Sequence, residues 1–268
     1  MITGYHNNSR GVGIRSYQLI LPSVVCSTHL AKKVAEKVGA VTFGHQHGCG
    51  IIGPDVSGVN EFFVSLAGHP NVQSTVVLGL GCETLQGNEV TESIASAYPE
   101  TAYVVIQESA GMAGALESSI STARALQTQA PRSELATLTI GIEGSPTKDQ
   151  VDKLIRSIES KGFTYVLANQ YKEPSRNFPD LVRAKCHVII SFPDSNQPPT
   201  GYPLIPVVTV ANENSPLHKA LLSEFDCDGQ MSAEQLLRTV IEIANGQPSK
   251  SEAKKIGDIV VPRLVRSV

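Results

Sequence analysis

Short apolar runs rich in β-branched residues recur along the chain: QLILPSVVC, AVTFG, STVVLGL, AYVVIQ, LATLTIGI, FTYVLAN, CHVIIS and LIPVVTVA. Their near-continuous apolar character, without strict alternation, predicts strands buried on both faces and hence a parallel sheet. Amphipathic stretches fall between them. STHLAKKVAEKV opens on hydroxyl residues suited to a cap and sets Leu30, Val34 and Val38 on one stripe. SPTKDQVDKLIRSIESKG lines Val151, Leu154, Ile155 and Ile158 along one face, with Gly162 as its stop.

A repeated strand–helix order predicts an α/β fold, and eight strands at irregular spacing fit two open, mostly parallel sheets flanked by helices better than a barrel. These are Rossmann-like lobes. The polar stretch QTQAPRSE, residues 127–134, marks the boundary between an N-terminal lobe, 1–134, and a C-terminal lobe, 135–268. The proline-rich stretches YKEPSRNFPD and SFPDSNQPPTGYP read as surface loops. The tail from Ser232 to Ile256 reads as helix, with NGQPSKSE supplying a turn and a fresh cap.

Composition narrows the function classes. With 268 residues, 41% hydrophobic and 18% charged, the chain has ample length for a core. A net charge of −3 offers no basic field, so nucleic acid is not an expected partner. The five cysteines, Cys26, Cys49, Cys82, Cys186 and Cys227, are odd in number, widely spaced and free of CxxC pairs, which suits reduced thiols in the cytoplasm. Arg10 and Arg15 precede the apolar run YQLILPSVVC as they would in a leader. That run is short, contains Pro22 and lacks a small-residue cleavage site, so it reads as a strand. No stretch approaches the length of a spanning helix, and no membrane partner is expected.

In an open α/β sheet, reactive groups collect just past the carboxyl ends of the strands. Four polar clusters fall there in the first lobe: Cys26-Ser27 after QLILPSVV, HQHGCG after AVTFG, Gly81-Cys82-Glu83 after STVVLGL, and Gln107-Glu108-Ser109 after AYVVI. In an extended segment alternate side chains share a side, so His45, His47 and Cys49 can converge on one point. Together with Cys82, Glu83 and Glu108 they offer donors suited to Fe²⁺ or Zn²⁺. The alternative leaves the histidines as polar residues at a strand end and the cysteines as small hydrophobes. Arg15 is either a carboxylate clamp or a surface arginine. The glycine-rich stretches complete neither a dinucleotide fingerprint nor a P-loop, and no Gly-x-Ser-x-Gly elbow is present.

GYHNNSRGVGIRSYQLILPSVVCS, HQHGCG, VVLGLGCETLQ and VVIQES, in that order, followed by TVANENSPLHKALLSEFDCDG and NGQPSKSEA, resemble the altronate and galactarate dehydratase family, which includes the large subunit of sulfolactate sulfo-lyase. The resemblance implies a hydro-lyase that removes water from a sugar acid or related 2-hydroxy acid, dependent on a divalent metal such as Fe²⁺. It implies His45, His47, Cys49 and Cys82 as metal ligands, and Glu83, Glu108, Gln107 and Arg15 as catalytic residues. Cys26 joins the N-terminal motif around the same pocket. The resemblance implies a sugar acid as small-molecule partner and a separately encoded small subunit; a homodimer is the default expectation for a soluble assembly. Where family members have a Cys-Gly-Gly-Ser-Asp segment, this chain has LTIGIEGSPTKDQ, with Glu143 in place of the cysteine. Ser109-Ala110-Gly111 replaces Gly-Gly-Thr, and Ser9-Arg10-Gly11 replaces Asp-Gly-Arg. Loss of the Cys-Gly-Gly-Ser-Asp segment favours a second reading, a non-catalytic member that binds a small acid or a partner subunit, whereas retention of HQHGCG and GLGCE favours the hydro-lyase, which is the leading reading.

Overall fold

The computed structural model describes residues 2–168 and 174–263. Contacts divide the chain into two units, Met1–Tyr5 with Arg132–Asp258 and His6–Pro131 with Ile259–Val268. A single cut at 134/135 follows the chain, whereas the contacts give each unit one chain end as well. The chain opens with two short strands, β1 (Thr3–His6) and β2 (Val12–Gly13).

In the unit built on His6–Pro131, the predicted runs QLILP, STVVLGL and AYVVI form β3 (Tyr17–Pro22), β4 (Val72–Gly79) and β5 (Thr101–Val105). These are parallel and hydrogen-bonded in the order β3-β4-β5. AVTFG, expected as a strand, contributes one bridge: Val41 pairs with Leu19, and the next residues leave the ladder. On one face, α1 (Thr28–Val38) and α4 (Gly111–Leu126) bury Leu30, Ala31, Val34, Ala115 and Ala123 against Ile20, Val76 and Leu78. Two further helices, α2 (Pro54–Ala67) and α3 (Gly87–Ala95), pack together and on β4. They bury Phe62, Phe63, Leu66, Val90 and Ile94. At roughly 25 cal/mol per Å² of apolar surface, such side chains are each worth about 1.5–3 kcal/mol.

Arg10 is a structural residue of this unit. Its buried guanidinium donates to the carbonyls of Ala67 (2.6 Å) and Gln73 (3.1 Å) and to Glu100 Oε2 (2.8 Å). It ties the loop before β3 to the end of α2 and the starts of β4 and β5. Gly13 permits a close approach beside it, since a Cβ there would stand 2.1 Å from the Pro70 carbonyl oxygen.

In the other unit, β6 (Arg132–Glu134) pairs antiparallel with β1 through Thr3–Glu134 and Tyr5–Arg132. The remaining predicted strands form β7 (Thr139–Gly144), β8 (Thr164–Ala168), β9 (Val188–Phe192) and β10 (Val207–Thr209), a parallel sheet in the order β10-β9-β7-β8. Helix α5 (Lys148–Ser160) starts at a capping box between Thr147 and Gln150. The stretch expected as a loop at PSRNFPD is helix α6 (Pro174–Arg183), while Tyr171–Glu173 lie outside the described residues. Proline at its first position needs no N–H partner, and Phe178, Leu181 and Val182 form the buried face. After α7 (Pro216–Ala220), the tail forms α8 (Ala233–Ala244) and α9 (Lys250–Lys254), each opened by a serine capping box at Ser232 and Ser249. Both sheets are open and parallel with flanking helices, the α/β architecture expected. Among the described residues no helix is long and apolar enough to cross a membrane.

Candidate functional site at the carboxyl edge of the first sheet

The loops leaving β3, the bridge at Val41, β4 and β5 lie side by side. Val25 N–H donates to the His47 carbonyl (2.9 Å), Thr84 N–H to the Cys49 carbonyl (3.1 Å), and Ile106 and Gln107 N–H to the carbonyls of Gly79 and Leu80 (3.0 and 3.1 Å). These backbone bonds set Cys26, Cys49, Cys82, Glu83, Gln107 and Glu108 along one sheet edge.

Glu83 is the most tightly held of them. It is buried, its Oε1 accepts from Ser23 Oγ (2.9 Å) and Leu80 N–H (3.2 Å), and its Oε2 accepts from Gly81 N–H (2.6 Å). Burial pushes the carboxyl upward, but the hydrogen bonds from its own loop and Ser23 outweigh that and leave it below the ordinary carboxylate range. Glu83 is therefore a fixed anion. Tyr103, which sequence reasoning missed, stands beside it. A Cβ at Gly79 would lie 2.5 Å from the Tyr103 hydroxyl and 2.8 Å from Glu83 Oε1. Burial, then the charges of Glu83 and Glu108, push the Tyr103 hydroxyl up to about 12, so it keeps its proton at neutral pH. The signal for it in the sequence was one hydroxyl-bearing aromatic in AYVVIQE, two residues from the strand end.

The three thiols are grouped. Cys26 and Cys82 are exposed and Cys49 is half-buried. Burial, then Cys82, Cys26 and Glu83, push the Cys49 thiol up, since crowded anions disfavour one another. Gln107 Oε1 would lie 2.8 Å from a Cβ at Gly81, which places the Gln107 amide against the Cys82 loop. Glu108 is exposed on the loop before α4.

The histidines are placed otherwise. His45 is buried among Phe43, Phe63 and His47, its ring 5.8 Å from Phe63 and edge-on to His47 at 5.7 Å. Its Nδ1 accepts from His47 N–H (3.0 Å), so in the neutral ring the proton resides on the enclosed Nε2 and no lone pair is left there for a metal. Burial, then His47, lower its pKa to about 4. His47 Nε2 donates to the Val261 carbonyl (3.0 Å). Gln46 exchanges two hydrogen bonds with the same returning segment, to Ile259 O (2.9 Å) and from Val261 N–H (3.0 Å). Arg263 then pairs with buried Asp55 (3.0 Å). Among the described residues no three His, Cys, Asp or Glu side chains close on one position able to hold a metal ion. The set His45, His47, Cys49 and Cys82 does not fit a single ion.

Arg15 is not brought to this edge. It precedes β3 by two residues, its N–H donates to Asn71 Oδ1 (3.2 Å) just before β4, and its guanidinium bonds the Ile14 carbonyl (3.0 Å). A six-residue strand, roughly 20 Å long, separates it from Glu83.

Residues 4–131 match the family described as D-galactarate dehydratase/altronate hydrolase, second domain. This segment belongs to the altronate/galactarate dehydratase family. The chain is 27% identical over 113 residues to altronate dehydratase of Escherichia coli, covering 38% of this chain and 23% of that protein. It is 26% identical over 102 residues to altronate dehydratase of Bacillus subtilis, covering 34% and 20%. The matched segments thus span about a quarter or less of those relatives. The family segment is the part of the chain that carries all four loops of the candidate site.

The second unit has a polar cluster of its own. Glu143, at the end of β7, is buried and bonded by Ser191 Oγ and by Asn177 Nδ2 (3.3 Å). Burial dominates and raises its carboxyl to about 7. A cavity of about 120 Å³ opens nearby at the carboxyl ends of β7, β9 and β10, lined by Ser145, Thr147, Gln150, Phe192 and Asn212.

Proposed function

We propose that the protein is a hydro-lyase that dehydrates a 2-hydroxy acid of the sugar-acid class. The observation that carries this reading is the meeting of Glu83, Tyr103, Glu108 and three thiols on the carboxyl edge of a domain whose relatives are named altronate dehydratase. A proton next to a carboxylate is very weakly acidic, so its removal needs a positioned base and support for the developing charge.

Glu108, exposed beside the edge, is the base for that proton. Glu83 has both oxygens committed to hydrogen bonds, so it acts by positioning the Gly81–Cys82 loop. Tyr103 keeps its proton and can hydrogen-bond an oxygen near Glu83. Gln107 offers an uncharged amide to a substrate hydroxyl or carboxylate. When the proton passes to Glu108, the carbon–oxygen bond breaks and the departing hydroxide takes a proton from solvent to leave as water; Glu108 returns its own proton to solvent, and the enol left behind tautomerises to the 2-keto acid. Arg15, on the opposite edge, takes no part.

A panel of aldonates and aldarates, assayed anaerobically for release of 2-keto acid, tests this. Activity lost in Glu108→Gln and retained in Arg15→Ala supports it. An unreactive panel, with and without an added small subunit, sinks it. The replacement of the family's Cys-Gly-Gly-Ser-Asp segment by residues around Glu143 favours the second reading, a binding member of the family. Acids that raise the unfolding temperature without being consumed would select that reading.

A further inference from the structure

The stretch TVANENSPLHKALLSEFDCDG has no part in the hydro-lyase reading, yet its polar residues are spent on shaping one loop. Thr209 N–H and Oγ1 donate to Asp226 Oδ2 (2.9 and 2.8 Å), which ties the end of β10 to the returning chain. His218 is fully buried; its Nδ1 accepts from Asn212 N–H (2.8 Å) and its Nε2 donates to the carbonyls of Asp194 (3.1 Å) and Gln197 (2.8 Å). Both ring nitrogens are committed, so this histidine holds Asn212 to the loop that follows β9. Asn212 Oδ1 in turn accepts from Asn214 N–H (2.9 Å). Gly229 brings the return in beside them, because a Cβ there would stand 2.4 Å from the Ala211 carbonyl oxygen.

Topology decides what this loop borders. From β7 the chain passes to β8 on one side, then crosses to β9 on the other side and on to β10. The strand order therefore reverses between the carboxyl ends of β7 and β9, the place where open parallel sheets bind ligands. The cavity of about 120 Å³ lies there, between Ser145, Thr147 and Gln150 after β7, Phe192 at the end of β9, and Asn212 and Asn214 after β10. It has room for roughly eight groups the size of a water molecule. Gly144, with φ +95°, lets the chain leave β7 hard against β9, since a Cβ would stand 2.1 Å from the Phe192 carbonyl oxygen. A second recess of about 420 Å³ shares the Asn212–Asn214 loop and adds His218, Lys219, Leu222 and Asp228.

We propose that this cleft binds an uncharged vicinal diol, a sugar or polyol, with the Glu213 carboxylate accepting from two neighbouring hydroxyls. Hydroxyl and amide side chains both donate and accept, which is the pairing that ligand hydroxyls need. The capping box commits Gln150 Oε1 to Thr147 (2.9 and 3.0 Å), so Gln150 offers a ligand its Nε2 donor. Glu213 is exposed and borders both volumes. A carboxylate there makes charge-assisted bonds to O–H donors, as the acidic residue of a dinucleotide fold does to a ribose hydroxyl. An acid is disfavoured. Among the described residues bordering the two volumes the cation is Lys219, set beside the carboxylates of Glu213 and Asp228, and a sugar acid would add a further negative charge. The inference concerns the unit built on Arg132–Asp258 alone and does not depend on the hydro-lyase reading.

Two matched pairs of probes test it on the full chain: methyl ribofuranoside against its 2-deoxy analogue, and ribitol against ribonate. Binding is read by saturation-transfer NMR and calorimetry. The furanoside and ribitol should bind with dissociation constants in the millimolar range, and the 2-deoxy analogue and ribonate about tenfold or more weaker. Glu213→Ala should weaken ribitol about tenfold with an unchanged unfolding temperature, and Glu213→Gln should narrow the preference for ribitol over ribonate. Glu108→Gln, in the other unit, should leave ribitol binding as it was. No binding by any probe, ribonate bound as tightly as ribitol, or affinity indifferent to Glu213→Ala would overturn the proposal. So would ribitol affinity that falls in Glu108→Gln, which would put the diol at the first sheet. Whether ribonate is consumed bears on the hydro-lyase reading alone.

Discussion

At the residue scale, the chemistry of this edge depends on how few atoms separate Glu83 from Tyr103. Gly79 is required there for space, because a methyl group would run into both the phenol oxygen at 2.5 Å and the carboxylate at 2.8 Å. Tyr103 cannot retreat easily, since its ring also packs where a Cβ of Gly87 would be, 2.7 Å away. Gly79→Ala is therefore expected to cost about 1–3 kcal/mol, read as a lower denaturation midpoint with an unchanged slope. Glu83→Gln tests the charge itself. Its amide nitrogen would turn a donor toward the N–H groups of Leu80 or Gly81, costing about 1–3 kcal/mol near neutral pH. Because the native carboxyl sits below its unfolded value of 4.5, its stabilisation is present above that pH and fades as the pH falls through the lower native value. The gap between wild type and Glu83→Gln should narrow in acid; a gap constant from pH 7 to pH 3.5 contradicts the assignment. The sequence placed Glu83, Cys49 and Cys82 on the right edge because strand ends are readable from apolar runs. It could not show what His45 does. The alternation argument for HQHGCG needs an extended strand, and this segment leaves the ladder after Val41 and runs on as irregular loop.

At the scale of elements, seven of the eight apolar runs became strands, because burial on both faces leaves a continuous hydrophobic signature. The exception, AVTFG, lies outside β3 at the sheet edge, where one bridge suffices. Helix α6 was hidden by its prolines, which read as breakers although Pro174 occupies the first turn. Least legible was the return of residues 259–263 across the HQH loop. It depends on contacts more than 200 residues apart, with no local pattern to announce them. Gln46 is the joint, with its amide both donating to and accepting from that segment. Gln46→Ala should weaken the unit by about 1–2 kcal/mol. The Val261 amide, which donates to Gln46 Oε1, should exchange with solvent about tenfold faster. Unchanged exchange at Val261 would mean that the Arg263–Asp55 pair and the His47 bond hold the segment without it.

At the scale of the whole molecule, the two units carry buried titratable groups whose pH dependences have opposite signs. In the unit built on His6–Pro131, His45 is held near 4 against an ordinary 6.5. The unfolded chain takes up that proton first, so this unit loses stability as the pH falls from about 6.5 toward 4, by roughly 3 kcal/mol at the acid end. In the unit built on Arg132–Asp258, Glu143 is held near 7 against an ordinary 4.5. Here the unfolded chain gives up its proton first, so stability falls as the pH rises from about 4.5 to 7 and then levels, again by roughly 3 kcal/mol. Glu143→Gln keeps an amide between Ser191 and Asn177 and removes the titration. That variant should be more stable than wild type above pH 7 and lose the advantage near pH 4.5. Hydrogen exchange followed by peptide mass analysis resolves the units separately: acid should expose peptides around His45 first, and neutral pH those around Glu143. Parallel pH dependence in both sets of peptides, or a Glu143→Gln difference independent of pH, would show that Glu143 is already ionised in the folded protein. Its place at the end of β7 would then be that of a buried anion with Ser191 and Asn177 as its hydrogen-bond donors.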